Sequence, residues 1–256
     1  MNVTPDSFYD GGKTIVLRDI IAQAEKMVSQ GAFFLDVGGY SSRPGAVAVS
    51  ESEELERVVP VIKALRKEFP DTYLSIDTFR STVARAAVDS GTDMVNDISG
   101  GQLDPQMLST VGELQVPYVL MHMKGTPQTM TDKATYENVV QEMIYYFSER
   151  LAMARKEGIN DVIIDPGFGF AKTVAHNFET LNHLELFQNI SCPLLVGISR
   201  KSTIYKTLGI TAEEALNGTS VLHTYALSKG AAILRVHDVK EAKECVTLLQ
   251  AITNTN

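Results

Sequence analysis

No apolar run in this chain of 256 residues approaches the roughly 18 that a membrane-spanning helix needs, and no basic segment leading into an apolar one opens it. A cytoplasmic protein is expected. Cysteine is nearly missing: Cys192 and Cys245 lie far apart and outside any C-x-x-C pair, which argues for idle thiols and against a disulfide, a zinc site or redox chemistry. The five histidines form no H-E-x-x-H array, so a zinc-hydrolase centre has no basis either. Positive charge is not in excess, and a net charge of −8 opposes the broad basic surface that a nucleic acid requires. Low-complexity tracts and Ser/Gly/Pro linkers are also absent, which leaves one compact domain spanning 1–256, close to the roughly 250 residues of a single α/β barrel.

What is present is a repetition. Seven short apolar runs each end on a polar residue: FFLDV around Asp36, YLSID at Asp77, MVND at Asn96, YVLMH at His122, VIIDP at Asp165, LLVGIS at Ser199, and AILRVH at Arg235 and His237. Asn2 supplies an eighth such end, as though its strand had been cut away. Each run is followed by a helix-like stretch, and the spacing suits one strand plus one returning helix. That pattern reads as a (β/α)8 TIM barrel with parallel strands, outer helices and a truncated first strand. Runs that are apolar throughout, rather than alternating, indicate strands buried on both faces. An open doubly wound sheet is the runner-up, but no G-x-G-x-x-G follows a first strand.

The intervening stretches carry helix signals. Ser50 and Glu53 have capping-box spacing ahead of an apolar stripe of Leu55, Val58, Ile62, Leu65 and Phe69, and Pro60 is expected to bend that helix. Leu17 to Gln30 and Tyr136 to Glu157 each stop at a glycine, Gly31 and Gly158, suited to a left-handed terminus. Further helices are expected over Ser81 to Asp89, Asp104 to Leu114, Asn177 to Phe187, Thr211 to Ser228 and Val239 to Ile252.

In a barrel of this kind all strand carboxyl ends share one mouth, so residues scattered over the sequence become candidates for one site. Arg43, Lys172, Arg200, Lys201, Arg235 and His237 all follow strand ends. A cationic mouth on an acidic protein points to a small anionic substrate. Two loops rich in Gly, hydroxyl and acidic residues, NVTPDSFYDGG and DVGGYSSRPG, follow the first two strand ends.

With DTFR at Asp77, ND at Asn96, DPGFGFAK from Asp165, GISRKS from Gly197 and RVHD from Arg235, these loops resemble the dihydropteroate synthase family of pterin-binding barrels, over essentially Asn2 to Asp238. The resemblance implies a folate-pathway transferase that joins (7,8-dihydropterin-6-yl)methyl diphosphate to 4-aminobenzoate and releases pyrophosphate. It implies pterin binding by Asp77, Asn96, Asp165, Phe170 and Lys201, the Asp165 carboxylate matching the two-donor edge of the heterocycle. Diphosphate binding falls to Asn2, Arg43, Arg235 and His237, with Asp238 capping the last helix. Ser42, Arg43, Pro44, Phe170, Ser199, Arg200 and Lys201 are assigned to 4-aminobenzoate, the site where sulfonamides would compete. Asp77, Arg43, Lys201, Arg235 and His237 carry the electrostatic catalysis, and Mg²⁺ would sit on Asn2 and the phosphates. A homodimer is also implied, with late helices such as Val239 to Ile252 as the candidate face.

Three positions depart from the family pattern: Tyr40 stands where an acidic residue is common, Ser42 where threonine is common, and Ala171 where glycine is frequent. Only Met1 precedes Asn2, so unpaired edges are expected on the strands flanking the missing one. Two rival readings remain at this level. A pterin-binding methyltransferase acting on methyltetrahydrofolate and a corrinoid protein shares the pterin residues but has no need of the SSRPG and SRK anion groups. A catalytically idle pterin-binding protein is the other.

Overall fold

The computed structural model describes residues 1–3, 13–40 and 49–254. Every apolar run read from the sequence forms a strand: β1 (Phe34–Gly38), β2 (Tyr73–Asp77), β3 (Met94–Asp97), β4 (Tyr118–Met121), β5 (Val162–Asp165), β6 (Leu195–Val196) and β7 (Ile233–Leu234). Helix α1 (Lys13–Ser29) precedes β1, the strands are separated by α2 (Glu51–Glu68), α3 (Ser81–Asp89), α4 (Met107–Leu114), α5 (Val139–Lys156), α6 (Val174–Asn182), α7 (Ser202–Leu208) and α8 (Leu216–Ser228), and α9 (Val239–Thr253) follows β7.

Two compact units are distinguished, one comprising 1–120 with 152–162 and the other 121–151 with 163–256. In the first, β1 to β4 pair in sequence order and in parallel, with Gly38 opposite Asp77 and Asp77 opposite Asn96. Parallel neighbours need a long returning connection, and α2 and α3 provide it. All four residues of β3 are buried, as are those of β4. This is the two-faced burial expected of uninterrupted apolar runs. Asn2 forms a parallel bridge to Gly38, with Val3 N–H donating to the Gly38 carbonyl at 2.8 Å. The edge of β1 is therefore occupied at its carboxyl end.

In the second unit β6 and β7 pair in parallel, and Ile164 of β5 bridges Leu194. Phe147, Phe168 and Phe187 are fully buried, with Phe147 meeting Phe187 edge to face at 6.0 Å. Truncating such a ring costs about 3–5 kcal/mol.

Local signals and structure agree at most helix ends. The Ser50–Glu53 capping box forms in both directions, and Gly31 and Gly158 adopt φ of 97° and 83°. Helix α2 runs through Pro60 without interruption to Glu68. Three elements differ from expectation. The stretch after Asn177 divides into α6 and a 3₁₀-helix, Leu184–Ile190, and α7 stands where none was expected. The stretch from Thr211 becomes helical only at Leu216.

Candidate active site

In the first unit the strand ends gather three of the expected site residues, Asn2, Asp77 and Asn96, together with Asp36. The Asn96 side-chain amide donates to Asp36 Oδ2 at 3.0 Å, which fixes the amide's orientation and leaves its oxygen as an acceptor. Asp77 lies between Gly38 and Asn96 in the strand register, and Asn2 lies opposite Gly38. A methyl group on Gly38 would crowd the Asp77 Cβ at 3.3 Å, so this glycine gives that carboxylate its room.

Asp97, next to Asn96, has another task. Its buried carboxylate accepts from Tyr118 Oη at 2.6 Å, from the Ser99 amide and hydroxyl at 2.7 Å each, and from the Gly101 amide at 2.6 Å. Burial pushes its pKa up while these donors oppose the shift. It shapes the loop after β3 rather than facing a ligand.

The stems of the second glycine-rich loop are stapled in the same unit. Arg80 of the DTFR segment pairs with Glu54, donates to the Val49 carbonyl at 2.6 Å, and lies over the rings of Tyr40 and Phe79. Arg57 donates to the Gly39 carbonyl at 3.0 Å. Glu54 is 0% exposed, and burial raises its pKa against the pull of Thr78 and Arg80. Ser42, Arg43 and Pro44, which this loop carries, lie outside the described residues.

In the second unit β5 ends on Asp165, 4% exposed. The carboxylate accepts from the Gly167 amide at 2.8 Å, and the residue's own carbonyl accepts from the His122 amide at 2.9 Å. Burial raises its pKa; Lys201, the Gly167 amide, Arg235 and Lys172 act in the opposite direction. One carboxylate thus lies among three cations.

The DPGFGFAK segment turns sharply. Gly167 has φ of 69°, and a Cβ there would collide with the His122 carbonyl, so only glycine serves. Its neighbour Gly169 clears the Lys201 stem and donates to the buried Asn177 side chain at 2.9 Å. Lys201 donates to the Phe168 carbonyl and lies 4.8 Å above the Phe170 ring. Phe170, Lys201 and Asp165 therefore belong to one cluster.

Behind that turn lies a residue whose place the sequence did not reveal. Lys172, read as one cation of the mouth, is only 9% exposed and bonds to His122 Nδ1 at 2.9 Å, the Phe170 carbonyl at 3.1 Å and the Gly167 carbonyl at 3.2 Å. Burial lowers its pKa to about 7, Asp165 opposing. His122, a strand end with no assigned role, is the partner, and burial followed by Lys172 and Lys124 holds its pKa well below the ordinary value.

The ends of β6 and β7 meet through Ser199 and His237, whose Oγ and Nδ1 are 3.0 Å apart. Burial lowers the His237 pKa, which favours the neutral imidazole at pH 7. Arg200 is turned onto Asp238, with Nε and Nη2 at 2.7 and 2.9 Å from the two carboxylate oxygens, and Nη1 reaches the Ala212 carbonyl at 3.0 Å. Asp238 occupies the N-cap position of α9, but its side chain makes no capping bond and serves Arg200 instead. The expected cap is thereby corrected.

Parallel strands ending on carboxylate, amide and cationic groups, with helices returning between them, define a protein of the parallel α/β class whose strand ends carry polar, chemistry-bearing groups. The comparisons give that class its name. Residues 1–237 match the model of the family described as pterin binding enzyme. A dihydropteroate synthase from Synechocystis sp. is 44% identical over 255 residues, 98% of this chain and 88% of the relative. The structure of the Xanthomonas albilineans dihydropteroate synthase with 4-aminobenzoic acid superposes with a TM-score of 0.91 at 41% identity, covering 100% of this chain and 92% of the other. That of the Yersinia pestis enzyme with a sulfonamide drug gives 0.92 at 39% identity, covering 99% and 92%.

The chain belongs to the pterin-binding enzymes, and within them to the dihydropteroate synthase family. Its fold class is the parallel α/β barrel of those enzymes, and its activity is that of a transferase in folate synthesis. The methyltransferase and idle-binder readings give way to the synthase.

Proposed function

We propose that the chain condenses (7,8-dihydropterin-6-yl)methyl diphosphate with 4-aminobenzoate, with the pterin held by Asp77, Asn96, Asp165, Phe170 and Lys201. The observation that carries this reading is the Asp165 carboxylate, buried at the end of β5 and bonded to the Gly167 amide, in the turn whose carbonyls receive Lys172 at Gly167 and Phe170 and Lys201 at Phe168. Those cations favour its ionised form, which offers two acceptors to the paired N–H donors of a pterin edge. Phe170 presents an aromatic face beside the Lys201 ammonium.

The bond from the exocyclic methylene carbon to the diphosphate oxygen breaks, and its electron pair leaves with pyrophosphate. The dihydropterin delocalises the resulting positive charge, with Asp77 as the carboxylate that stabilises it. Arg43, Arg235 and His237 bind the departing anion. The aminobenzoate nitrogen, already neutral at pH 7, forms the new bond to carbon and then loses a proton to solvent, so orientation replaces base catalysis. Ser42, Arg43, Pro44, Phe170, Ser199, Arg200 and Lys201 form the aminobenzoate subsite in this reading, which is also where sulfonamides compete. Arg200 contributes there through its tie to Asp238, because its guanidinium and its amide are already engaged, the amide by Thr219 Oγ1 at 3.1 Å.

The Asn2 carboxamide is exposed and its backbone is held by Gly38, and no cluster of three His, Cys, Asp or Glu occurs among the described residues. A single neutral oxygen donor suits magnesium bound chiefly through phosphates and water. Bound there, Mg²⁺ would supply positive charge to the diphosphate. A cytoplasmic location accords with the described helices, none of which is long and apolar enough to cross a membrane. A homodimer through α8 and α9 fits the exposed Val221, Leu248 and Ile252 on those helices.

The test is pyrophosphate release from the pterin diphosphate. Release should require 4-aminobenzoate and Mg²⁺ and should be inhibited by a sulfonamide. Folded protein that binds the pterin but releases nothing would overturn the proposal.

A further inference from the structure

We propose that Lys172 is a positioning residue for pterin binding, its ammonium committing all three donors to His122 Nδ1 and the carbonyls of Gly167 and Phe170, and so holding the turn that presents Asp165 and Phe170. The inference rests on the reading that Asp165 receives the pterin. An ammonium has three N–H donors and no acceptor, and three acceptors surround this one at 2.9, 3.1 and 3.2 Å. Each acceptor lies on a different part of the apparatus. His122 follows β4 and gives its amide to the Asp165 carbonyl, Gly167 gives its amide to the Asp165 carboxylate, and Phe170 faces Lys201. Lys172 thus ties the His122 ring, at the end of β4, to two backbone carbonyls of the turn.

The arrangement depends on charge. A neutral amine donates two hydrogen bonds rather than three, so deprotonation frees one of these acceptors in a buried place. The groups that face Lys172 set where this happens. Asp165 favours the charged form, whereas burial, Lys201 and Lys124 disfavour it, and together they place the transition at about pH 7. His122 remains a neutral acceptor, with the hydrogen-bond network assigning its proton to Nε2. Arg235 acts on Asp165, Glu142 pairs with Lys124 at 2.7 Å, and the Tyr136 hydroxyl donates to the Ala171 carbonyl at 2.9 Å. Lys172 should be charged below neutrality and should hold the turn best there. By reciprocity, a pterin that prefers the held turn must raise the pKa of Lys172.

Calorimetric titration with a 6-hydroxymethyl dihydropterin lacking the diphosphate, from pH 6 to pH 9, tests this directly. Comparing wild type with Lys172→Met at each pH cancels the ligand's own ionisation. The variant loses all three bonds and should bind about tenfold or more weakly at pH 6, the worth of at least one charged hydrogen bond, and the ratio should shrink towards pH 9 as the wild type loses its own ammonium. A ratio near one at pH 6, or one that stays constant across the range, would overturn the proposal.

A measurement on the wild type alone covers a variant that fails to fold. The Lys172 side-chain resonance of protein labelled with ¹³C at lysine Cε should titrate near neutrality, and its midpoint should rise when the dihydropterin saturates the protein. A midpoint that does not move would also overturn the inference. Asp165→Asn, run in parallel, separates the two levels: wild-type affinity in that variant removes the underlying reading, whereas a failure confined to Lys172 leaves it standing.

Discussion

Arg200 grips Asp238 through two parallel hydrogen bonds of 2.7 and 2.9 Å, joining the segment after β6 to the start of α9. The guanidinium holds the Asp238 carboxyl below its ordinary value, and the folded state therefore prefers the ionised acid. The associated stability is complete above the unfolded value near 3.8 and is lost as pH falls through the lower folded value. Thermal midpoints of Asp238→Asn and wild type should differ most above pH 4 and converge in stronger acid. Arg200→Lys should cost about 1 kcal/mol, because an ammonium cannot reproduce the fork.

Asp165→Asn should weaken pterin binding about 30- to 100-fold at pH 7, the worth of charge-assisted bonds to a buried carboxylate. Calorimetry measures this, and unchanged affinity would remove Asp165 from the role.

Arg235 is assigned to the leaving diphosphate, an interaction that strengthens as the bond breaks. Arg235→Ala should lower kcat by about 100-fold while the thermal midpoint moves only a few degrees. Wild-type turnover in a pyrophosphate-release assay would refute the assignment.

The ion pair of Glu54 and Arg80 predicts a mutational asymmetry. Arg80→Ala leaves a fully buried carboxylate without its cation and should cost about 3 kcal/mol in urea unfolding. Glu54→Gln introduced into that variant should recover part of the loss, since no charge then remains to be compensated.

Leu248 and Ile252 on α9 are 67% and 68% exposed, and Val221 on α8 is 58% exposed. Large apolar groups so placed favour a partner surface. On the proposed homodimer, Leu248→Glu with Ile252→Glu should bring the mass read by light scattering down to that of one chain, with little change in monomer fold.

Strands β3, β4, β5 and β6 were legible because burial on both faces writes an uninterrupted apolar run, and α3 was legible to its end residues, Ser81 and Asp89. Helix α7 was not, because seven residues opening on Ser202 and Thr203 carry too short a period to stand out. The Thr211 amide bonds to the Glu214 carboxylate in a turn that resembles a helix start, which drew the expected α8 forward by five residues. Among the site residues, Asp165 was read as a polar strand end and Lys201 as a cation beyond one, and the resemblance supplied their pterin roles. Lys172 does not, since a lysine in a glycine-rich loop reads as a solvated charge, and only tertiary structure shows that His122 lies behind it. Asp97 and Asn96 are both polar and adjacent, and nothing in their order tells which one forms the loop and which remains available.

The bare α-carbon of Gly167 faces the His122 carbonyl with no room for a methyl group. Change at this point of the sequence is consequently closed, and variation in what the enzyme accepts must enter through side chains that do not hold the bend, such as the Phe170 ring, since Lys172 and Lys201 both donate to its carbonyls.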